Sequence, residues 1–551
     1  MKRPAQPTET ERLHHLLALG AVCIDQSKPY HVGPGSDTHV CTDSHLNPID
    51  PSHELIPAGS TDTRGRIAII MDALAGICIS QPQHEAFAVG VQMDHGSSSI
   101  RLVVAGNASA RGDQLEIARA HLIRVWDKLK EIARLHVEQR IAVDREVKRK
   151  NWVHTSHEIQ QQLGEGAEMI SRRKELRKMV VRHAVNKLYQ RLKKRWGAFT
   201  EFSLQFARFR DADGFSPRLR SNEELKAIEH IREIIIETID MGDKLKEDKP
   251  FTSAWPETRV RLVCKHLRAI DTNFKAIRHN SLVRVLLSLL PGPAFPFEHF
   301  IKKIVSLYEY TNTLLSWARS PRLHHTFLMS LTIDTLYTNP KTLTTLPTTI
   351  SMWKALIIDI ISSSGFEEDA LSSGTTTISY INNLATAAYN MFSTTPASAD
   401  TSPIHCEVAL ITHYHTFTNH SRWSHVPPFT YIGASKGACL CCHYWLTAYT
   451  RHTQRQFTLR GTHAKFCYPW QLPPFRAACY SDLEVRIAVT MAGQMARVLL
   501  DRWVEEGLKI LRKGSGGDYR ARVSGGNDFE RRVSNLKRKM RQGWGRLSKK
   551  L

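Results

Sequence analysis

The sequence predicts a mixed α/β protein in which an α/β domain is joined to a large, mainly α-helical region. Two apolar, β-branched runs, "EAFAVGVQM" and "SIRLVVAGN", are separated by "DHGSS", a pattern typical of a β-hairpin. Between about residues 112 and 340, apolar residues recur at helical spacing. In the last third of the chain, short strand-like runs such as "FTYIGAS" alternate with helical segments.

The order of these segments divides the 551-residue chain into five predicted regions. They are an irregular N-terminal segment at 1–60, a helix and the hairpin at 61–110, a basic helical insertion or domain at 111–361, an α/β domain at 362–512 and a flexible basic tail at 513–551. The tail begins with "KGSGGDYRARVSGGND", whose Gly and Ser content predicts a flexible linker. We interpret the hairpin as the first strands of the sheet of the α/β domain.

The net charge of +22 is concentrated in two segments. Residues 140–196 contain 16 Lys and Arg against 6 Asp and Glu, and residues 513–551 contain 12 against 3. Such basic segments favour a polyanionic partner, here single-stranded RNA or DNA bound through its phosphates. The other interpretation of each segment is a solvated helix face or a loose tail.

Composition and the N-terminus indicate the compartment. The ten cysteines are few for 551 residues and do not suggest a disulfide framework, which favours a reducing environment. The first residues, "MKRPAQPTETERLHH", lack the apolar region of a secretory signal, and no apolar run reaches the length of a membrane span. The sequence therefore predicts an intracellular protein, cytoplasmic or nuclear, without a membrane partner.

Six of the ten cysteines lie in the stretch from Cys406 to Cys479, and four of these six are close to two predicted helix starts. In "SPIHCEVALITHYHTF", Ser402 and Pro403 are good residues for the N-cap and first position of a helix. This predicts that His405 and Glu407 lie in the first helical turn.

The second predicted helix, "KGACLCCHYWLTAY", starts near Gly437 and places Cys439 and Cys442 three residues apart on one face of its first turn. A helix N-terminus favours negative groups, so both starts suit a carboxylate or thiolates.

The residue types in these two turns are those of a catalytic zinc site. One imidazole and two thiolates supply three protein ligands and leave the fourth position open to water. A carboxylate two residues from the histidine can accept the proton of that water. His405-x-Glu407 followed by Cys439-x-x-Cys442, with the first Cys 34 positions after the His, matches the signature of zinc-dependent base deaminases.

These motifs resemble the cytidine-deaminase-like superfamily and, more narrowly, a family of predicted nucleic acid or nucleotide deaminases that is widespread in fungi. In that family a strand ending in Gly-x-Ser-Lys precedes the two cysteines, as in "YIGASKGACLCC", and a later stretch resembles "RGTHAKFCYPWQLP". The chain departs from the common pattern at Ala438, where many members have Pro, at Cys406 and at the third thiol, Cys441.

The resemblance implies a three-layer α/β/α fold with Zn²⁺ held between two helix N-termini by His405, Cys439 and Cys442. It implies that Glu407 moves protons while an activated water replaces the amine at C4 of cytosine or C6 of adenine. The substrate would be a base in nucleic acid or in a nucleotide.

The resemblance also suggests two substrate-binding residues. An Asn near the end of the superfamily's hairpin often contacts the sugar, and Asn107 has that position here. His463 lies in the family-like "RGTH" stretch and is expected near the pocket, although a structural hydrogen bond is an equal alternative.

Two other functions remain open at this stage. A deaminase of free nucleosides or nucleotides would use the basic segments for another partner. A non-catalytic nucleic-acid-binding or scaffold protein would keep the fold and a structural zinc closed by a fourth ligand, such as Cys441, Cys467 or His463.

Overall fold

The structure of the chain, a computed structural model, describes most of the residues between 9 and 514. The described residues are 9–23, 63–81, 85–107, 112–150, 166–211, 221–246, 255–290, 295–337, 341–342, 346–363, 375–393, 401–402, 404–416, 422–462, 466–467, 470–475 and 481–514. The predicted irregular segment at 1–60 lies mostly outside these residues, and so does nearly all of the predicted tail at 513–551.

The described residues form long helices and a few short strands. The helices are α1 (Glu9–Cys23), α2 (Thr63–Ile77), α3 (Gly112–Lys150), α4 (Ala167–Asp211), α5 (Asn222–Lys246), α6 (Glu257–Ile277), α7 (Ser281–Ser288), α8 (Phe297–Ala318), α9 (Ile350–Ser363), α10 (Thr375–Ser393), α11 (Cys406–Thr416), α12 (Leu440–Thr453) and α13 (Ser481–Gly514). The strands are β1 (Phe87–Asp94), β2 (Ser99–Gly106), β3 (Ser330–Leu336), β4 (Lys341–Thr342), β5 (Thr401–Ser402), β6 (Tyr431–Ala434) and β7 (Thr458–Leu459). The prediction of a mixed α/β protein with a large helical part is confirmed.

The chain divides into two compact units. The cysteine unit comprises Met1–Pro48, Thr338–Thr418 and Gly437–Leu551, and the sheet unit comprises Ile49–Tyr337 and Asn419–Lys436. Compactness alone does not test the domain boundaries predicted from the sequence, which stay a prediction.

Four strands of the sheet unit pair in the order β3-β2-β1-β6. The predicted hairpin forms: β1 and β2 are antiparallel from Phe87 opposite Gly106 to Asp94 opposite Ser99. On its other side β1 pairs antiparallel with β6, so the hairpin and the strand that leads toward the two cysteines share one sheet.

β3 was not expected, because it lies in the region for which the sequence predicts only helices. Seven of its residues pair in parallel with β2, from Ser330 opposite Ser99 to Leu336 opposite Ala105. Its partner is more than 200 residues away in sequence, and a strand stabilised by such pairing gives little local signal.

α2 lies close against β6, and this contact depends on Gly433. A Cβ atom built on Gly433 would lie 2.3 Å from the carbonyl oxygen of Met71, which is backbone of α2. The buried carboxylate of Asp72, on α2, also holds this helix against β6. It accepts hydrogen bonds of 2.9 Å from the backbone N–H of Ala434 and from the hydroxyl of Tyr431.

Gly433→Ala is expected to destabilise the protein by about 3 kcal/mol or more, because backbone cannot yield as a side chain would. The matched control is Gly197→Ala in α4, where a Cβ meets no atom within 4 Å. That change is expected to be neutral or to stabilise by up to about 1 kcal/mol. Urea unfolding of both variants measures the difference, and equal midpoints would contradict the close contact.

The helices of the sheet unit enclose two stacked histidines. The rings of His121 and His183 lie 3.7 Å apart and are nearly parallel. Burial lowers the pKa of His121 well below its ordinary value, and burial lowers the pKa of His183 to about 4 despite its hydrogen bond to the carbonyl of Cys78. Both rings are therefore neutral in the folded protein at pH 7.

Acidification is expected to weaken this unit. His183 takes up a proton in the unfolded chain near pH 6.5 but in the folded protein only near pH 4, so the free energy of unfolding falls as pH decreases between these values. The fall from this residue alone is about 3 kcal/mol. Urea unfolding at pH 7.5 and pH 5 should show a smaller difference for His183→Gln than for wild type, whereas the exposed His279→Gln should behave as wild type. An equal difference in all three proteins would contradict this assignment.

The cysteine unit is built mainly from helices. α1 packs against α13 and α10, α10 packs against α9, and α12 packs against both α11 and α13. Its short strands β4 and β5 pair antiparallel, with Lys341 opposite Ser402. Within the described ranges, every helix is either too short or too polar to cross a lipid bilayer.

Candidate metal centre

Three side chains of the cysteine unit meet at one point. Nδ1 of His405 lies 3.4 Å from Sγ of Cys439 and 3.2 Å from Sγ of Cys442, and the two sulfurs are 3.4 Å apart. A metal ion can be held where at least three ligand atoms of His, Cys, Asp or Glu lie close together. Among the described residues, this trio is the group whose ligand atoms all lie within 4.8 Å of one another. The predicted trio is therefore brought together from two elements that are 34 residues apart.

The first helix of the site starts later than predicted. α11 begins at Cys406, so His405 precedes the helix, and its carbonyl accepts a hydrogen bond of 2.9 Å from the N–H of Ala409. Ser402 is not the N-cap, because it pairs with Lys341 in β5 instead. Glu407 does lie in the first turn, as predicted.

The second helix starts at Leu440 rather than near Gly437, and its N-cap is a proposed metal ligand. Cys439 has an extended backbone, and its Sγ accepts a hydrogen bond of 3.4 Å from the N–H of Cys442. This is the geometry in which an N-cap side chain satisfies a free amide of the first turn, here with sulfur in place of oxygen.

The later family-like stretch holds the residue before Cys439. The N–H of Ala438 donates to the carbonyl of Gly461 at 2.9 Å, and the hydroxyl of Thr462 donates to the carbonyl of Ala438 at 2.9 Å. Gly461 has a φ of +68°, which a residue with a side chain adopts only with strain. The Arg-Gly-Thr motif thus acts on the site through backbone geometry.

Trp470 supports the second sulfur. Its ring is completely buried, and its Nε1–H points to Sγ of Cys442 at 3.4 Å. From its residue type alone, Trp470, like Trp445, is expected at most to stack on a base, and nothing in the sequence predicts this hydrogen bond. Donors directed at a ligand sulfur are the outer contacts that orient metal ligands.

The electrostatics of the site favour one thiolate. Burial opposes ionisation of Cys439, but hydrogen bonds from the thiols of Cys441, Cys442 and Cys467, together with the charge of His405, hold its pKa well below the ordinary value. Burial and the neighbouring Cys439 raise the pKa of Cys442 well above its ordinary value.

Glu407 is enclosed beside the trio. The residue is 5% exposed, and its Oε2 lies 3.4 Å from Sγ of Cys406, which donates to it. Burial raises the pKa of its carboxyl group, an effect that the charge of His405 partly offsets. A buried carboxyl group whose proton affinity is raised suits the transfer of protons near neutral pH.

Among the residues that the structure describes, no further thiol completes a four-ligand cluster. Cys441 and Cys467 contact the sulfur of Cys439, but neither joins the group of mutually close ligand atoms. His463, the other proposed fourth ligand, lies outside the described residues, so its predicted role in substrate binding also stays a prediction.

The donor set fits a zinc ion. Zinc bonds of about 2.3 Å to sulfur and 2.0–2.1 Å to nitrogen place tetrahedral ligand atoms roughly 3.5–3.8 Å apart. The three observed distances are 3.2–3.4 Å, so a small outward adjustment admits the ion. Binding through Nδ1 requires the neutral tautomer of His405 with its proton on Nε2.

Two other predicted positions can be located. Asn107 directly follows β2 in the sheet unit, where its backbone N–H donates to the carbonyl of Ala86 at 3.1 Å. Its proposed contact with a sugar stays a prediction. Its position on a predicted helix favours a core role for Trp445 over stacking on a base, and the residue is completely buried and stacks on Tyr449 at 5.0 Å, so it is a core residue.

Comparison with known proteins agrees with the geometry. Residues 404–474 match the sequence model of a family described as OTT_1508_deam-like deaminase. No curated protein and no solved structure matches the chain. The chain therefore contains a deaminase-family domain at 404–474, and its His/Cys/Cys cluster is compatible with a zinc-binding deaminase. The resemblance predicted from the motifs is confirmed.

Proposed function

We propose that the protein is a zinc-dependent hydrolytic deaminase that acts on a nucleobase, cytosine or adenine, in nucleic acid or a nucleotide. The observation that carries this proposal is the meeting of His405 Nδ1 with the sulfurs of Cys439 and Cys442 inside the segment that matches a deaminase family. Either finding alone would be weaker, since the family match gives no geometry and a His/Cys/Cys cluster also occurs in structural zinc sites.

The three-layer α/β/α arrangement of zinc deaminases is part of the proposal. Two observations within the sheet unit support it. The hairpin of β1 and β2 pairs with β6, and α2 covers β6 and β1 on one face. A sheet built from a hairpin and the strand before the cysteines is the arrangement that the resemblance implies.

His405, Cys439 and Cys442 would hold the zinc. When bound, zinc lowers the pKa of a water molecule toward neutrality and so supplies the nucleophile for hydrolysis. The N–H donors of Cys442 and Trp470, which are directed at the two sulfurs, would stabilise the thiolates and fix their orientation.

Glu407 would move both protons of the reaction. Its carboxylate accepts one proton from the attacking water and passes it to the ring nitrogen beside the amine-bearing carbon. It then transfers the second proton to the amine, which leaves as ammonia, so that cytosine plus water gives uracil plus ammonia. The enclosed position of Glu407 limits exchange of these protons with bulk water.

The basic charge favours a phosphate-bearing substrate or partner, although some of the basic side chains form ion pairs within the protein. On α4, Lys178 and Arg182 form ion pairs with Glu257. The exposed basic run at 193–195 has no such partner among the described residues, so it is the part of the segment best suited to contact a polyanion.

A substrate screen tests the proposal. Full-length protein with one equivalent of zinc is incubated with cytidine, adenosine, their 5′-monophosphates and single-stranded RNA and DNA oligonucleotides, and ammonia release is measured. We expect release from at least one of these bases and none from the metal-free protein. Oligonucleotide-specific release would favour a polymeric substrate, and release from free nucleosides would favour the second candidate. If no base is deaminated while zinc remains bound, a binding or scaffold protein with a structural zinc becomes the better account.

A further inference from the structure

A second polar site lies in the sheet unit and has no part in the metal centre. It is a small pocket between α2, α4, α8 and the residue after β6. Lys187, Arg191, Tyr310, Ser435 and Ser306 contribute the polar side chains of its wall, and the other lining residues are glycine, alanine, leucine and isoleucine. Charged groups thus line a largely apolar pocket.

Lys187 is the unusual member of this wall. Only 8% of the residue is exposed, yet no hydrogen bond or ion pair joins its Nζ to any described residue. Burial lowers the pKa of its ammonium group to about 7, and the charges of Lys436 and Arg191 add to this effect. A buried ammonium without a partner costs free energy, which a bound anion would recover.

Arg191 adds a second set of donors to the cavity. Its Nη1 donates to the carbonyl of Lys303 at 2.5 Å and to the hydroxyl of Ser306 at 2.9 Å, which fixes the guanidinium in place. Nε and Nη2 have no hydrogen-bond partner among the residues that the structure describes. A guanidinium held in this way presents fixed donors to a tetrahedral oxyanion.

Ser435 supplies a neutral donor. Its Oγ accepts a hydrogen bond of 2.9 Å from the N–H of Phe87, and its own N–H donates to the carbonyl of Phe87 at 2.9 Å. The hydroxyl proton is not used in either bond, so it can donate to a group in the cavity.

The local acid does not neutralise these cations. Glu85 is the carboxylate whose charge acts on Lys187, but its two oxygens accept hydrogen bonds from the N–H and hydroxyl of Ser80 and from the N–H of Gln81, at 2.7–3.1 Å. The pocket therefore has an excess of basic groups. Lys187, Arg191 and Lys436 lie near one another, and the carboxylate of Glu85 is already hydrogen-bonded to Ser80 and Gln81.

We propose that this cavity is an anion site that binds a phosphate group through Lys187, Arg191 and the hydroxyl of Ser435. The ligand is either free phosphate or the phosphate of a small monoester. The site is independent of the proposed deamination, because it uses other residues and needs no metal.

Calorimetric titration of the full-length protein with inorganic phosphate tests the proposal, with chloride at equal ionic strength as the reference. We expect saturable binding by wild type and binding at least about tenfold weaker in Lys187→Met, the loss expected for one charge-assisted hydrogen bond. Lys226→Gln, an exposed lysine on α5 outside the basic segment at 140–196, is the control and should bind phosphate as wild type does. Equal affinity in wild type and Lys187→Met, or no saturable binding in wild type, overturns the proposal.

A second measurement uses wild type alone and does not depend on how the variant folds. Lysines are acetylated with limiting reagent, and the modification of Lys187 relative to the exposed Lys226 is read by peptide mass spectrometry. Phosphate should lower this ratio, and an unchanged ratio contradicts the site. Parallel samples with cytidine 5′-monophosphate and cytidine separate the sources: protection by the nucleotide assigns a monoester, protection by inorganic phosphate alone assigns the free ion, and protection by cytidine argues against a phosphate site.

Discussion

Replacing Cys442 by serine is expected to remove zinc from the purified protein. The change deletes one of three protein ligands and the acceptor of the Trp470 indole N–H, so zinc should bind at least about a hundredfold more weakly, which is more than the loss of an outer contact alone would cause. Zinc per chain, measured by plasma mass spectrometry after equilibration with a weak chelator, should fall from near one to near zero.

Cys441→Ser is the matched control for this change. Cys441 is buried in the same helical turn and contacts Cys439, but its sulfur does not belong to the cluster. Zinc content close to that of wild type is expected. If Cys441→Ser loses as much zinc as Cys442→Ser, the site has four protein ligands, and the structural-zinc alternative gains support.

Glu407→Gln is expected to lower the rate of base deamination by about 10²–10⁴-fold while zinc stays bound. Glutamine has nearly the same volume as glutamate, so the buried position should tolerate it, but the amide cannot accept the proton of the attacking water. The measurement is ammonia release from whichever substrate the screen identifies, together with zinc content of the same preparation.

Asp482→Asn is the control for loss of a carboxylate. Asp482 is exposed on the first turn of α13, where it pairs with Arg486, and its loss should leave both rate and zinc content unchanged. A Glu407→Gln rate within a few-fold of wild type would remove Glu407 from the mechanism.

The candidate metal centre was predictable because its residues stand in short sequence motifs. His405, Glu407, Cys439 and Cys442 have residue types and spacings that few other structural demands explain, and the three ligand positions do meet. The hairpin was predictable for the same reason, since its turn and its alternating runs are local. The exact helix starts were not, because each depends on a partner far away in the sequence.

Ser402 and Ala438 illustrate that limit. Ser402 is a residue type that is common at helix N-caps, but it pairs with Lys341 and so lies in a strand. Ala438 precedes the second helix start because it pairs with Thr462 and Gly461, which delays the helix to Leu440. The contact of Trp470 with Cys442 has no local signal at all, because it joins residues on either side of a turn and a strand.

The dependence of the cysteines on later residues sets a lower limit on any fragment that is meant to retain the metal centre. Such a fragment would have to begin before His405 and continue beyond Trp470. The hydrogen bonds that join Gly461 and Thr462 to Ala438, and the one from Trp470 to Cys442, involve residues that follow the proposed ligands in the sequence. During synthesis, the ion-binding geometry would accordingly mature only after all of that stretch has left the ribosome.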